Sequence, residues 1–174
     1  MAGENKKIKT SAIAAFINTG TNSDPTWTRI RKQSELKLSY NGETQEDNWV
    51  DQDTPSTSLE KYSVSFDGEM TCFKDDPLFT YLDGLRQSRA TGTAAETQCL
   101  LIYKYDGDAS TGFKAEQNNC TIQFKDFGGE GGGGSASISY TCTFNDDPTL
   151  GTAKIADGAP TFNAATVSGK AAKA

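Results

Sequence analysis

An alternation of apolar and polar residues with period two returns over most of this 174-residue chain, and no other feature limits its fold as much. That period is the mark of strands with one buried face and one wet face. It is clearest from Ser137 to Phe144, where Ile138, Tyr140, Cys142 and Phe144 alternate with Ser137, Ser139, Thr141 and Thr143. The β-branched and aromatic residues there suit a pleated, half-buried surface. Leu36, Leu38 and Tyr40 alternate with Glu35, Lys37 and Ser39, and Tyr62, Val64 and Phe66 with Ser63 and Ser65. The latter strand runs on through Asp67 and Gly68 to Met70, with a bulge expected at Gly68. Gln98 to Tyr105 is a denser apolar run, and Cys120 to Phe127 sets Cys120, Ile122, Phe124 and Asp126 on one face. The expected fold class is therefore mainly β, a β-sandwich or partly closed barrel with one flanking helix.

The helix is expected over about residues 75–90, where the period changes. Asp75 and Asp76 precede Pro77, and Leu78, Phe79, Leu82 and Leu85 draw one helical stripe. An aspartate cap, a proline in the first turn and Arg86 and Arg89 near the end supply start and stop signals. Asp-Asp-Pro recurs at Asp146-Asp147-Pro148 after a similar strand ending. Either the two sites use one turn initiator independently, or a sheet-plus-connection unit was duplicated. The second copy lacks the apolar stripe, so Pro148 is expected to open only a turn. Residues 41–61 read as a long acidic loop holding Glu43, Glu46, Asp47, Asp51, Asp53 and Glu60 around Trp49 and Val50. Six glycines between Gly128 and Gly134 read as a flexible hairpin tip. Asp106-Gly107-Asp108 reads as a hairpin turn, residues 156–174 as a loose tail and residues 1–18 as a flexible arm. The whole chain, 1–174, is expected to be one domain.

Composition narrows the chemistry. There is no histidine, so the usual general base, proton shuttle and commonest metal ligand are all missing. Cys72, Cys99, Cys120 and Cys142 have no close-spaced partners and read as reduced, mostly buried thiols. The glycine run lacks the Lys and Ser/Thr of a phosphate cradle and leads into a strand. Adjacent carboxylates match neither an EF-hand loop nor a glycosidase pair across an aromatic floor. No catalytic residue, metal site or cofactor is expected. The formal net charge of −6, without basic runs, argues against tight nucleic-acid binding. No signal peptide or membrane-spanning stretch is visible, so the product is expected to stay in the cytoplasm where it is made.

The order of these features is similar to a known family. Phe16-Ile17 leads into Trp27-Thr28-Arg29-Ile30, then Leu36-x-Leu38-Ser39-Tyr40-Asn41. Glu46-x-x-Trp49-Val50 follows in the acidic stretch, then Tyr62-Ser63-Val64-Ser65-Phe66, the Asp-Pro helix and the paired strands behind it. Over roughly residues 8 to 155 this resembles the major tail tube protein of long non-contractile bacteriophage tails. The resemblance implies a sandwich or partly closed barrel, six copies to a ring, and rings stacked into a hollow tube that carries the genome within the virion. The implied partners are further copies of the chain, a tail initiator or baseplate, a tape-measure protein and a terminator, with DNA passing and no membrane.

Within that frame, Phe16, Ile17, Trp49 and Val50 are candidate contacts between subunits or rings, as apolar anchors on otherwise polar, mobile segments. Candidate lumen-facing residues are Ser65, Asp67, Glu69, Ser137, Ser139, Thr141 and Thr143, since hydroxyls and acids without lysine would repel phosphate. A second reading is a β-sandwich module binding glycans or surfaces through Trp27 or Trp49.

Overall fold

A computed structural model describes residues 7–31, 33, 36–51 and 53–165. Its strands are β1 (Ile13–Asn18), β2 (Trp27–Arg29), β3 (Leu38–Asp47), β4 (Ser56–Thr71), β5 (Glu96–Asp108), β6 (Gly112–Gly128), β7 (Ser137–Phe144), β8 (Thr149–Ala156) and β9 (Ala159–Ala164), with helix α1 (Pro77–Ser88) between β4 and β5. The hydrogen-bonded order is β2-β1-β5-β6-β7-β4-β3, and β8 joins β6 and carries β9. Every pairing is antiparallel.

The long strand β6 forks the sheet. Its first part, Phe113 to Gln117, pairs with β8, and its second, Cys120 to Gly128, pairs with β7. Both faces around the fork are apolar. On one, Ile17, Leu101, Cys120, Ile122, Ile138, Tyr140, Cys142, Phe66 and Met70 pack under Leu78 and Leu82 of α1. On the other, Ala14, Phe16, Leu100, Ile102, Ala115 and Ala153 are sealed by Trp27, Phe113, Ile155 and Phe162 as the β8–β9 hairpin curls back towards β2. The mainly β, partly open architecture with one helix is the expected one.

The helix signals act as read. Asp76 caps α1 by accepting from the backbone N–H groups of Leu78 (3.0 Å) and Phe79 (3.2 Å), with Pro77 at the first position. The helix ends at Arg89, which adopts left-handed backbone (φ 50°). The second Asp-Asp-Pro opens no helix and leads directly into β8.

Several segments depart from expectation. Residues 13–18 are not an arm. Ile13 to Ile17 is apolar at every position, and β1 lies between β2 and β5 with both faces covered. Phe16 and Ile17, each 0% exposed, point into opposite cores and are unavailable as surface anchors. Residues 41–61 are no loop: β3 and β4 form a long hairpin whose connection shrinks to residues 48–55. Its outer half is polar on both sides, so hydroxyl-rich Thr44 and Ser56 to Ser58 extend as strand without an apolar period.

Gly68 sits in unbroken register opposite Tyr140 and marks no bulge. A Cβ there would lie 2.5 Å from the Tyr140 ring, so glycine makes room for the largest buried side chain. The turn after β5 falls at Asp108, whose carboxylate accepts from the backbone N–H groups of Ser110 and Thr111, later than the expected Asp106-Gly107-Asp108. The tail begins as a strand: β9 pairs with β8 across Asp157 (φ 50°) and Gly158 (φ 83°), left-handed residues that fit a tight hairpin. The rest of the tail, from 166, and residues 1–6 of the arm lie outside the described residues.

Two substitutions test this core. Leu82→Ala should lower unfolding free energy by about 2–5 kcal/mol. Gly68→Ala should cost about 1–3 kcal/mol, because Tyr140 has no space to retreat. Urea denaturation followed by tryptophan fluorescence measures both.

Candidate assembly surfaces

The strands β4, β7 and β6 turn one face to the helix-covered core, and the opposite face has no covering element among the described residues. Its side chains stand in rows across the sheet. Ser39, Ser65, Thr143 and Thr121 form one row, and Asp67, Thr141 and Gln123 the next. Glu69, Ser139 and Asp126 form a third, and Thr71 with Ser137 a fourth. All seven residues read from the sequence as lumen candidates therefore share one face, on neighbouring strands. The cause is the unbroken β4–β7 register, which sets Ser65, Asp67 and Glu69 opposite Thr143, Thr141 and Ser139.

This face is not free of lysine. The β6–β7 register shifts between Phe124 and Asp126, and such a bulge re-aims Asp126 onto this face. Here Lys125 sets its Nζ 2.7 Å from Asp67 Oδ1, while Thr141 Oγ1 donates to the same oxygen at 2.6 Å. Ser137 Oγ donates to Glu69 Oε1 at 3.2 Å. The lysine hydrogen bond first, and then that of Thr141, hold the Asp67 carboxyl below the usual aspartate range. Asp126 was missed because a bulge cannot be read from a period-two count, whereas Lys125 keeps the outward alternation of Thr121 and Gln123 on a strand whose polar face was not read as wall. The only signal was the mismatch between alternation before and after Phe124.

Trp49 and Val50 stand at the tip of the β3–β4 hairpin. Trp49 is 58% exposed and Val50 fully so, with Asp47, Asp51 and Asp53 beside them. They are thus the two anchor candidates that stay on the surface. Trp27 is half-buried against the core under the β8–β9 hairpin, whereas Trp49 is exposed. Among the described strands β3, β2 and β9 each pair on one side only, and such edges offer unpaired backbone groups to another strand.

The cysteines are free thiols, with Cys99, Cys120 and Cys142 buried and Cys72 half-buried. Contacts with Cys120 and Cys99, then burial, raise the Cys142 thiol well above its ordinary value, so it is inert as a nucleophile. Among the described residues no group of His, Cys, Asp and Glu is arranged to hold a metal ion. No helix there is long and apolar enough to cross a membrane.

No protein-family model matches this chain, and no curated protein does. Solved structures do. The fold is similar to a chain in the tail of an empty gene transfer agent particle refined with C6 symmetry, at TM-score 0.60 and 14% identity over 83% of this chain and 98% of that one. It is similar to a chain in the sheath/tube terminator of an extracellular contractile injection system in its extended state, at TM-score 0.54 and 13% identity over 86% and 99%. A chain in the baseplate of the anti-feeding prophage gives TM-score 0.52 and 13% identity over 86% and 97%. At these identities the likeness is one of fold. The chain has a phage-tail-tube-like fold, and that fold does not separate non-contractile tails from contractile machines.

The Asp67 cluster can be titrated. Its folded value lies below its unfolded one, so the interaction favours the folded state above the unfolded value and is lost as pH falls through the folded one. Carboxyl NMR should give Asp67 a midpoint below the ordinary 3.8, and Lys125→Met should move it back up towards that value.

Proposed function

We propose that this chain is a self-assembling structural subunit of a phage-like tail tube. Copies join head to tail into rings, six to a ring, and the rings stack into a hollow conduit for DNA. The observation that carries this reading is the uncovered polar face of β4, β7 and β6, backed by a packed core and flanked by free sheet edges. Free edges on one chain are an aggregation liability that pairing with identical neighbours removes. Identical head-to-tail contacts close into a ring when the rotation allows. The likeness to a tail chain refined with C6 symmetry supports six copies.

Lining the bore with the polar face explains its chemistry. The carboxylates Glu69 and Asp126 repel phosphate, the neutral hydroxyls offer it no charge, and Lys125 is tied to Asp67 instead of standing free. The acid-flanked tip with Trp49 and Val50 then reaches the next ring, and the order of sequence features favours the long non-contractile kind of tail. The whole chain acts as one tube domain, made in the host cytoplasm and resident in the virion tail. An initiator or baseplate, a tape-measure protein and a terminator are its partners besides itself.

Negative-stain microscopy of concentrated protein, with and without an initiator complex, should show rings or tubes. A strict monomer under both conditions counts against the reading. Trp49→Ala should leave monomer stability within about 0.5 kcal/mol, as for an exposed site, yet shorten or abolish tubes. Tubes built from Ser139→Arg, Thr143→Arg protein should retain DNA that wild-type tubes let pass, as a gel-shift assay at low salt would read.

A further inference from the structure

Beyond the hairpin's first turns, the core-side face of the sheet opens into a groove of about 790 Å³ between the β3–β4 hairpin and β6. Its walls are aromatic. Tyr40 and Tyr62 meet edge to face with centroids 6.2 Å apart, and Phe144 lies across from them. Both tyrosines are more than half exposed. Glu116 lines the groove, and its charge, after burial, pushes the nearby Tyr103 hydroxyl up. Glu60, Asp146 and Asp147 stand on its rim, whereas the one lysine there, Lys61, is paired with Glu43 at 3.1 Å. Asn118 lines the groove too, is only 2% exposed, and its buried Nδ2 has no hydrogen-bond partner.

Each feature specifies part of an occupant. Tyrosine faces beside uncompensated carboxylates favour a cation carried on an apolar stem. A buried, unpartnered amide N–H₂ calls for an acceptor, which a peptide carbonyl supplies and a free ammonium ion does not. The acidic Trp49 tip is excluded by like charge. The exposed Lys7-Ile8-Lys9 segment has every required part: two cations, a backbone, and Ile8 at 61% exposure. In its own chain this segment leads into the turn Thr10–Ala12 beside Tyr105, outside the groove.

We propose that the Tyr40–Tyr62–Glu116 groove receives the Lys7-Ile8-Lys9 segment of a second copy, with a main-chain carbonyl accepting from Asn118 Nδ2. The role of a second copy rests on the tube reading, while the chemistry of the groove does not. The test is to titrate a synthetic peptide, Lys-Ile-Lys-Thr-Ser-Ala, into the monomeric protein and follow its NMR spectrum. Saturable shifts of the Asn118 side-chain amide and the Tyr40 and Tyr62 rings are expected. Replacing both peptide lysines by glutamate should weaken binding about tenfold or more. In the full chain, Lys7→Glu, Lys9→Glu should reduce self-association, and adding Glu60→Lys should restore part of it.

A peptide that leaves those resonances unmoved overturns the proposal, even if tubes form. Shifts of Tyr40 and Tyr62 in a dilute monomer on deleting residues 1–9 would put the segment in its own groove, and overturn the second-copy assignment. Specific peptide binding by a chain that never assembles would uphold the groove while removing the tube.

Discussion

The fold depends on burying β1 and β5 from both sides. A single sheet with one apolar face needs one cover, but these strands are apolar on both and need two of different kinds. Helix α1 supplies one through Leu78 and Leu82, and the β8–β9 hairpin supplies the other through Ala153, Ile155 and Phe162. The fork in β6 follows, because one long strand must serve β8 at one end and β7 at the other. So does the uncovered face of β4 and β7, which lies past the reach of the hairpin.

The same distribution of water explains what could be read from the sequence. Where one face is wet and one buried, as in β7 and the inner half of β4, period two gave both the strand and its facing, and all seven candidate wall residues fell on one surface. It failed in β1, where Phe16 and Ile17 are buried on opposite sides and the alternation vanishes into a short apolar run. It failed again in the outer β3–β4 hairpin, where neither side is buried and the same period has nothing to mark. These two errors share a cause: alternation reports a difference between faces, not extended backbone as such. Helix α1 was legible for another reason, since its cap, proline and stripe are local signals. The facing of Asp126 was hidden because it depends on a bulge, and the aromatic groove because Tyr40, Tyr62, Glu116 and Phe144 meet only through tertiary pairing.

The surfaces divide by chemistry. Hydroxyls and acids occupy the flat outer face, apolar anchors the hairpin tip, and tyrosines with carboxylates the groove. The outer face and the tip stand apart from the packed core, so substitutions there bear on association and leave folding largely alone. For a subunit of the proposed tube, that separation lets each contact with a neighbour be tuned without loss of the monomer.

The long β3–β4 hairpin has one more consequence. Its outer half contributes no buried side chain, so its length is set by neither packing nor core volume. Backbone pairing and exposed cross-strand contacts such as Lys61–Glu43 restrain it, and adding one residue to each strand would move the tip outward by about 3.3 Å. Such an addition would reverse the facing of everything beyond it, whereas two per strand would preserve it. The hairpin is thus a ruler graduated in steps of roughly 6.6 Å, along which reach can evolve while the rest of the molecule stays as it is.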